Sequence, residues 1–388
     1  MNRFRDLLLS LLVAMVALSS CRKEEEIIPS SRVRVGVPGR PGKIKGFFLL
    51  NEANMGSNKA TLDYYDYTTA FYTRNIYAER NPNVVKELGD VGNDLQIHGS
   101  RLYAVINVSG LIEVMDVRTA KHIGKLSIPN CRYIAFKDGF AYVSSYAGPV
   151  KIDPNARLGY VAKVDTATLK VVAECPVGYQ PEELLIQGDK LYVANSGGYR
   201  APNYDKTISI IDLKTFTEEK QVDVAINLHR LQLDNYGKIW ASSRGDYKGV
   251  PSRLFVFDPK SESVTKTLEV ACSNMTLAGD SLFVYGSEWS YLTGKNTISY
   301  TVIDTKKQEV IDRNFIKDGT DKEIQLPYGL AINSEQGELY LTDAQDYVHP
   351  GQLHCYDLKT GRRKWSVKTG DIPAHIAFTT QPLHPLHH

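Results

Sequence analysis

The sequence predicts an all-β protein, a seven-bladed β-propeller of four-stranded blades, because one unit recurs seven times along the chain. In each unit a strand built around an aromatic residue is followed by a second strand that ends in aspartate and a turn. The aromatic residues are Phe48, Tyr103, Tyr142, Tyr192, Trp240, Phe283 and Tyr340. The aspartates are Asp66, Asp116, Asp165, Asp212, Asp258, Asp304 and Asp357. Successive aspartates lie 46 to 53 residues apart, and an all-strand period of this length is typical of radial β-sheet arrays.

The unit at residues 182–222 illustrates one predicted blade. Glu183–Gln187 is the expected innermost strand, Lys190–Asn195 the second and Thr207–Leu213 the third, and a fourth strand runs through Val222. Gly188 and Asp189 form a tight hairpin turn between the first two strands. Near-continuous apolar runs in the second strands favour burial on both faces, between neighbouring blades.

The two ends of the repeat array predict how the ring closes. Asp371–Phe378 resembles the other innermost strands, although no blade follows it. Gly46–Asn51 resembles a second strand, although no innermost strand precedes it. We therefore expect the C-terminal strand to complete the first blade, which removes two exposed sheet edges.

Composition excludes several classes of function. The chain has 46 basic and 44 acidic residues, so nothing indicates a nucleic-acid partner. Its five cysteines include no C-x-x-C pair, so neither a zinc site nor a disulfide framework is indicated.

The first 21 residues predict an export signal. Arg3 and Arg5 precede an apolar run from Leu7 to Leu18, which is short for a membrane span and typical of a signal peptide. The run ends in Leu18-Ser19-Ser20-Cys21, a match to the bacterial lipobox, in which the cysteine thiol is acylated. The alternative is an ordinary secretory signal with an incidental cysteine.

Together these features predict four regions. We expect a signal peptide at 1–20, a lipidated N-terminus and flexible tether at 21–45, the propeller at 46–380 and a disordered tail at 381–388. The Pro- and Gly-rich composition of residues 27–43 is the basis for the tether.

One face of the predicted propeller carries the candidate site. The loops between second and third strands vary in length, whereas the hairpin turns on the other face are short. These loops share their face, called here the variable face, with the connections that enter each innermost strand. The candidate ligand-binding residues on this face are Arg132, Tyr146, Tyr179, Tyr199, Tyr204, His229, Arg230, Tyr247, Asn274, Trp289, Tyr328, Tyr347 and His375, with Asn93, Gln180 and Tyr291 nearby. Aromatic rings with amide and guanidinium donors suit a large ligand that is uncharged or mildly charged. Alternatively, the tyrosines only cover the mouth of the propeller.

Candidates for catalysis are weaker, and the sequence predicts a protein that is not an enzyme and needs no catalytic cofactor or metal. His229 and His375 have no partner carboxylate at an informative spacing. Asp343, Asp346 and His349 lie close enough in sequence for a metal cluster, but such a loop is more often a solvated turn. The repeated aspartates are better explained as turn formers, and no G-x-S-x-G, P-loop or H-E-x-x-H pattern occurs.

The D-x-x-T turns and strands such as Leu191-Tyr192-Val193-Ala194-Asn195 resemble those of YncE-like or surface-layer-type propellers across residues 46–378. Arg22-Lys23-Glu24-Glu25-Glu26 resembles the surface-export signal of Bacteroidetes lipoproteins. In length, lipobox, export signal and Tyr/Asn-rich variable face, the chain is similar to the BtuG proteins.

The resemblance to BtuG proteins implies cobalamin binding at the cell surface and delivery to a TonB-dependent barrel of the BtuB type. It also implies a lipid-anchored, outward-facing location on the outer membrane. No short motif of that group maps onto individual residues, so the site residues above rest on loop geometry. Two alternatives remain open: an extracellular enzyme of the lactonase or lyase type, and a glycan- or protein-binding adhesin. An enzyme would require a metal or an acid–base pair in the channel, where Glu182 is the main acidic residue expected.

Overall fold

The computed structural model describes residues 29–84, 87–290 and 294–385. The expected signal peptide, Cys21 and Tyr291 lie outside these ranges. Within them no helix is long and apolar enough to cross a membrane. The described elements are 29 strands, one short α-helix and one 3-10 helix.

Seven antiparallel sheets form the ring, and six of them have four strands in chain order. The second blade consists of β5 Gly92–His98, β6 Arg101–Ile106, β7 Leu111–Asp116 and β8 His122–Ser127. The third consists of β9 Cys131–Lys137, β10 Phe140–Ser145, β11 Tyr160–Asp165 and β12 Lys170–Pro176. The fourth consists of β13 Pro181–Gln187, β14 Lys190–Asn195, β15 Thr207–Asp212 and β16 Thr217–Asp223.

The remaining blades in chain order follow the same pattern. The fifth consists of β17 Leu228–Leu233, β18 Ile239–Ser243, β19 Arg253–Asp258 and β20 Ser263–Leu268. The sixth consists of β21 Asn274–Ala278, β22 Ser281–Ser290, β23 Lys295–Asp304 and β24 Glu309–Asp312. The seventh consists of β25 Pro327–Asn333, β26 Glu338–Asp343, β27 Pro350–Asp357 and β28 Arg363–Asp371. The 3-10 helix Thr320–Glu323 precedes the seventh blade.

The first blade joins both ends of the chain, as the sequence predicted. Its strands are β1 Ser31–Arg34, β2 Gly46–Asn51, β3 Thr61–Asp66, β4 Phe71–Arg74 and β29 Pro373–Thr379. Their order in the sheet is β1-β4-β3-β2-β29, so the C-terminal strand is innermost. Helix α1, Ile76–Arg80, follows this blade. The seven innermost strands contact one another in ring order, and β29 contacts both β25 and β5. The predicted closure is therefore confirmed.

Burial follows the position of each strand in its blade. All six residues of β2, Gly-Phe-Phe-Leu-Leu-Asn, are buried, because the second strands are covered on both faces by neighbouring blades. The outer strand β16 is mostly exposed and carries Thr, Glu, Lys and Gln. Apolar second strands and polar outer strands therefore place the core between the blades.

The repeated aspartates are turn formers, as predicted. In each blade the aspartate Oδ1 accepts a hydrogen bond from a backbone N–H two or three residues later, for example Thr68 N to Asp66 at 2.7 Å and Thr360 N to Asp357 at 2.8 Å. The same contact occurs at Asp116, Asp165, Asp212, Asp258 and Asp304. This local role explains the repeat without any catalytic function.

The structure differs from the sequence prediction at both edges of the propeller. Residues 31–45 of the predicted tether pack on the ring: β1 extends the first blade to five strands, and Gln336 hydrogen-bonds the backbone of Arg40 in both directions. At the other end, His384 N donates to Arg118 O at 2.7 Å, within the tail predicted to be disordered. Proline and glycine indicated flexibility in residues 27–43, but long-range contacts hold the described part of that segment on the ring.

Candidate functional site

A large cavity opens at the centre of the variable face. Its volume is about 1210 Å³, and all seven blades contribute residues to its lining. Ten of the thirteen predicted ligand-binding residues line it: Arg132, Tyr199, His229, Arg230, Tyr247, Asn274, Trp289, Tyr328, Tyr347 and His375. Asn93 lines it as well. The structure thus brings these residues together, and ligand binding by them stays a prediction.

Exposed apolar side chains surround the mouth. Trp289 and Tyr247 are each 45% exposed and Tyr347 is 43% exposed. Tyr199, Met55, Val108 and Val250 extend this ring. Among the described hairpin-turn residues on the opposite face, Tyr236 is the one exposed large hydrophobic residue. Because water-exposed aromatic rings are concentrated on one side, that side is the better candidate for recognition.

Three predicted residues do not line the cavity. Tyr146 is buried, and its hydroxyl donates to Glu182. Tyr179 lies beneath Arg200, whose guanidinium carbon is 3.6 Å from the ring centroid. Tyr204 is half-buried in the same loop region. The loop after β14 closes on itself where Asp205 N donates to Ser196 O at 3.0 Å, and Asp205 Oδ2 accepts from Tyr179 N at 2.7 Å. Of its two tyrosines, Tyr199 lines the cavity and Tyr204 does not.

The cavity floor contains a buried ion network centred on Glu182. Arg132 Nη2 lies 3.0 Å from Glu182 Oε2 and Arg244 Nη1 lies 3.1 Å from Oε1, while the Glu182 side chain is 1% exposed. Burial alone raises the pKa of Glu182, but the two guanidinium groups outweigh it and lower the pKa to about 2. Glu182 is therefore a carboxylate that offsets part of the charge of the two guanidinium groups and is not a proton donor.

A second group of hydrogen bonds crosses the channel from the third blade to the fifth. The Tyr133 hydroxyl lies 2.9 Å from His229 Nε2 and accepts from Arg230 Nη1 at 3.3 Å. Burial lowers the pKa of His229 well below its usual value, and Arg244, Arg230 and Arg132 add to this shift. Burial raises the pKa of Tyr133 to about 12. His229 is therefore neutral, and Tyr133 donates to it.

His375 has a carboxylate partner that the sequence analysis did not find. Its Nε2 lies 2.8 Å from Glu52 Oε1, and the Tyr328 hydroxyl donates to Glu52 Oε2 at 2.7 Å. Glu52 and His375 are 323 residues apart in sequence, but strand pairing places His375 opposite Leu50. Both Glu52 oxygens are engaged, so the contact holds the end of β2 against β29 at the cavity wall.

The loop with Asp343, Asp346 and His349 has local structural roles. Asp343 accepts from Leu326 N at 2.9 Å and Gln325 N at 3.1 Å. Asp346 Oδ2 lies 2.7 Å from His349 Nδ1 on the exposed surface. Among residues 29–84, 87–290 and 294–385, no group of three or more His, Cys, Asp or Glu side chains is arranged to hold a metal ion.

Comparison with known proteins supports the fold. Hydrazine synthase of Kuenenia stuttgartiensis superposes with a TM-score of 0.57 at 18% identity, covering 69% of this chain and 77% of that one. The Pan2 WD40 domain of Neurospora crassa superposes with a TM-score of 0.50 at 13% identity, covering 75% and 79% respectively. At these identities the likeness concerns the fold alone. No curated protein matches the sequence. Residues 45–379 match the domain of unknown function DUF5074, so this seven-bladed propeller belongs to that family.

Proposed function

We propose that the protein captures a corrinoid, of the cobalamin class, in the cavity of the variable face. The observation that carries the proposal is the cavity itself, whose volume of about 1210 Å³ exceeds the range of about 300–1,000 Å³ typical of small-molecule sites. A corrin ring needs a site of unusual width, and a cavity bounded by seven blades supplies one.

The chemistry of the lining supports a corrinoid. A corrin has hydrophobic faces and a rim of amide side chains, and Trp289, Tyr247 and Tyr347 offer flat, partly exposed rings at the mouth. The three arginines that line the cavity each lie within 3.2 Å of a carboxylate, Glu182 or Glu183. These two carboxylates offset most of the charge of the three guanidinium groups, so the interior favours a ligand of low net charge. Rings held on a rigid propeller also lose little freedom on binding.

Delivery to a partner through the same mouth is part of the proposal. At the inner end of the cavity Tyr133 of the third blade contacts His229 of the fifth, and Arg132 of the third contacts Glu182 of the fourth, so we expect a bound ligand to leave through the mouth by which it enters. The apolar ring around the mouth suits docking against an outer-membrane barrel of the BtuB type, which is TonB-dependent. A partner docked there receives the ligand without its passing through bulk solvent.

The proposed location is the outer membrane, with the protein anchored through a lipid on Cys21 and facing the cell exterior. Replacement of Cys21 by alanine is expected to move the protein out of the membrane fraction, because the acylated thiol is lost. Detergent partitioning of both forms measures this. Retention of the Cys21→Ala protein with the detergent phase would place the anchor elsewhere.

Trp289→Ala tests the proposed site. We expect it to weaken cyanocobalamin binding by about 2 kcal/mol or more, because a central aromatic contact is lost. Tyr236→Ala is the matched control, since Tyr236 is 43% exposed and lies on the opposite face. Titration calorimetry on both variants gives the two affinities. Equal losses in the two variants would show that the site is not on the variable face.

A further inference from the structure

A groove separate from the cavity lies between the first and seventh blades. Its volume is about 530 Å³, and it is lined by Ser31 and residues 33–36, by Arg74 at the end of β4 and by residues 365–368 of β28. The main chain at Gly36 runs so close to Trp365 that a Cβ atom there would lie 2.8 Å from its Cδ1. The N-terminal strand therefore forms one wall of this groove, and the outer strand of the last blade forms the other.

Three cationic side chains line the groove: Arg34, Arg74 and Lys368. No carboxylate is part of the lining, and none of the three has an ion pair among the described residues. Neighbouring cations on β28 differ, because Arg363 pairs with Glu323 and Lys364 with Glu338. The groove is thus locally cationic, in a protein whose total charge is nearly balanced.

Arg74 is the most informative of the three. Its Nε is buried and has no hydrogen-bond partner, and a buried donor without an acceptor is unfavourable. The nearby carboxylate of Asp63 accepts instead from Tyr72 Oη at 2.6 Å and Asn75 N at 2.8 Å. Asp371 does not line the groove; burial raises the pKa of its carboxyl, and Lys59, Arg74, His349 and Lys368 oppose this shift. An external anion would supply the missing acceptor.

The same groove has an apolar side. Val33, Val35, Trp365 and Val367 line it together with the cations. The predicted lipidated residue, Cys21, precedes Ser31, where the strand that forms the groove begins, by ten residues. A site with cations beside apolar side chains, close in sequence to the predicted anchor, matches an amphiphile better than a free ion.

We propose that this groove binds the phosphate of an anionic lipid headgroup. Ser31 pairs with Arg74 and Arg34 pairs with Phe71, so Arg34 and Arg74 are three residues out of register and their side chains leave opposite faces of the strand pair. The phosphate is therefore placed between Arg74 on one wall and Lys368 on the other, with Arg34 at the edge of the groove. A zwitterionic headgroup is disfavoured, because its ammonium group would meet the same three cations. Binding here would orient the propeller relative to the membrane, and it is independent of the ligand in the central cavity.

Titration of the full-length chain in neutral detergent with dihexanoyl phosphatidylglycerol tests this proposal. We expect binding that weakens about fivefold in Arg74→Gln and about fivefold in Lys368→Gln, as for basic residues near an anionic surface. Lys125→Gln is the matched control, because Lys125 is exposed on the outer strand β8 and lies in another blade. Its affinity should equal that of the unmodified chain.

Two further titrations identify the source of the phosphate. Dihexanoyl phosphatidylcholine should bind at least tenfold more weakly than the glycerol lipid, and inorganic phosphate should also bind more weakly. Equal binding of the two lipids would overturn the proposal, as would full affinity in Lys368→Gln, a surface change that leaves the fold intact. If inorganic phosphate binds as tightly as the anionic lipid, the groove is a site for soluble phosphate and the lipid assignment is wrong.

Discussion

A chain truncated after Gly370 is expected to lose its cooperative melting transition and to aggregate. The truncation removes β29, the innermost strand of the first blade, which pairs with β2 along its whole length. Phe47, Phe48 and Leu49 of β2 are 0% exposed in the intact ring, and loss of their partner strand opens an apolar edge. Unpaired sheet edges of this kind recruit other chains.

Calorimetric melting and light scattering measure both effects of the truncation. The control is a chain that ends at Thr379, which retains β29 and lacks only the C-terminal tail. This control should melt cooperatively, slightly below the full chain, because Leu383 packs against the adjacent core cluster. A soluble chain ending at Gly370 that melts in a single transition would contradict the closure by β29.

Glu182→Gln is expected to destabilise the propeller by about 3–5 kcal/mol, the usual effect of breaking a buried ion pair. The substitution keeps the size of the side chain but leaves Arg132 and Arg244 without a counter-charge beside it. Denaturant unfolding followed by tryptophan fluorescence gives the difference. Glu219→Gln is the control, because the exposed Glu219–Lys190 pair should contribute no more than about 1 kcal/mol. Similar small effects in both variants would show that the floor network does not stabilise the fold.

The low pKa of Glu182 predicts that the stability of the fold depends on pH. Arg132 and Arg244 hold the folded-state pKa of Glu182 at about 2, below its ordinary value of 4.5, so the folded protein binds fewer protons than the unfolded one. The stability from this group is complete above pH 4.5 and is lost as the pH falls toward 2, by about 3 kcal/mol. Unfolding measured across this pH range should show a smaller acid loss in Glu182→Gln. If Glu182→Gln loses as much stability at low pH as the unmodified chain, other carboxylates cause that loss.

The ring was predictable from sequence because its signals are local and repeated. The aspartate turns bond to backbone two or three residues away, so the Asp66 and Asp357 turns can be recognised without knowledge of any distant contact. Closure was predictable because Asp371–Phe378 repeats the pattern of the other innermost strands. Packing of residues 31–45 was not, since it depends on partners such as Gln336, 296 residues from Arg40.

The candidate site was predictable only in part. The order of the strands decides which loops lie on the variable face. Trp289, Tyr247 and Tyr347 therefore lie together at the mouth. The direction of a side chain does not follow from loop length. Tyr146 points into the protein because its hydroxyl donates a hydrogen bond to the buried carboxylate of Glu182. Glu52 and Tyr133 were missed, since the contacts of each, to His375 and His229, join residues distant in sequence. Combining the predicted closure with strand register would have found Glu52, because the pairing sets Leu50 opposite His375.

Co-elution of cyanocobalamin with the protein from a desalting column tests the proposed function most directly. The purified chain is incubated with an excess of the corrinoid and separated from free ligand, and the visible absorbance of the protein fraction is measured. The proposal predicts about one equivalent of corrinoid per chain, with a reduced amount in Trp289→Ala and an unchanged amount in Tyr236→Ala. A protein fraction without visible absorbance after incubation with a large molar excess of cyanocobalamin would contradict the proposal.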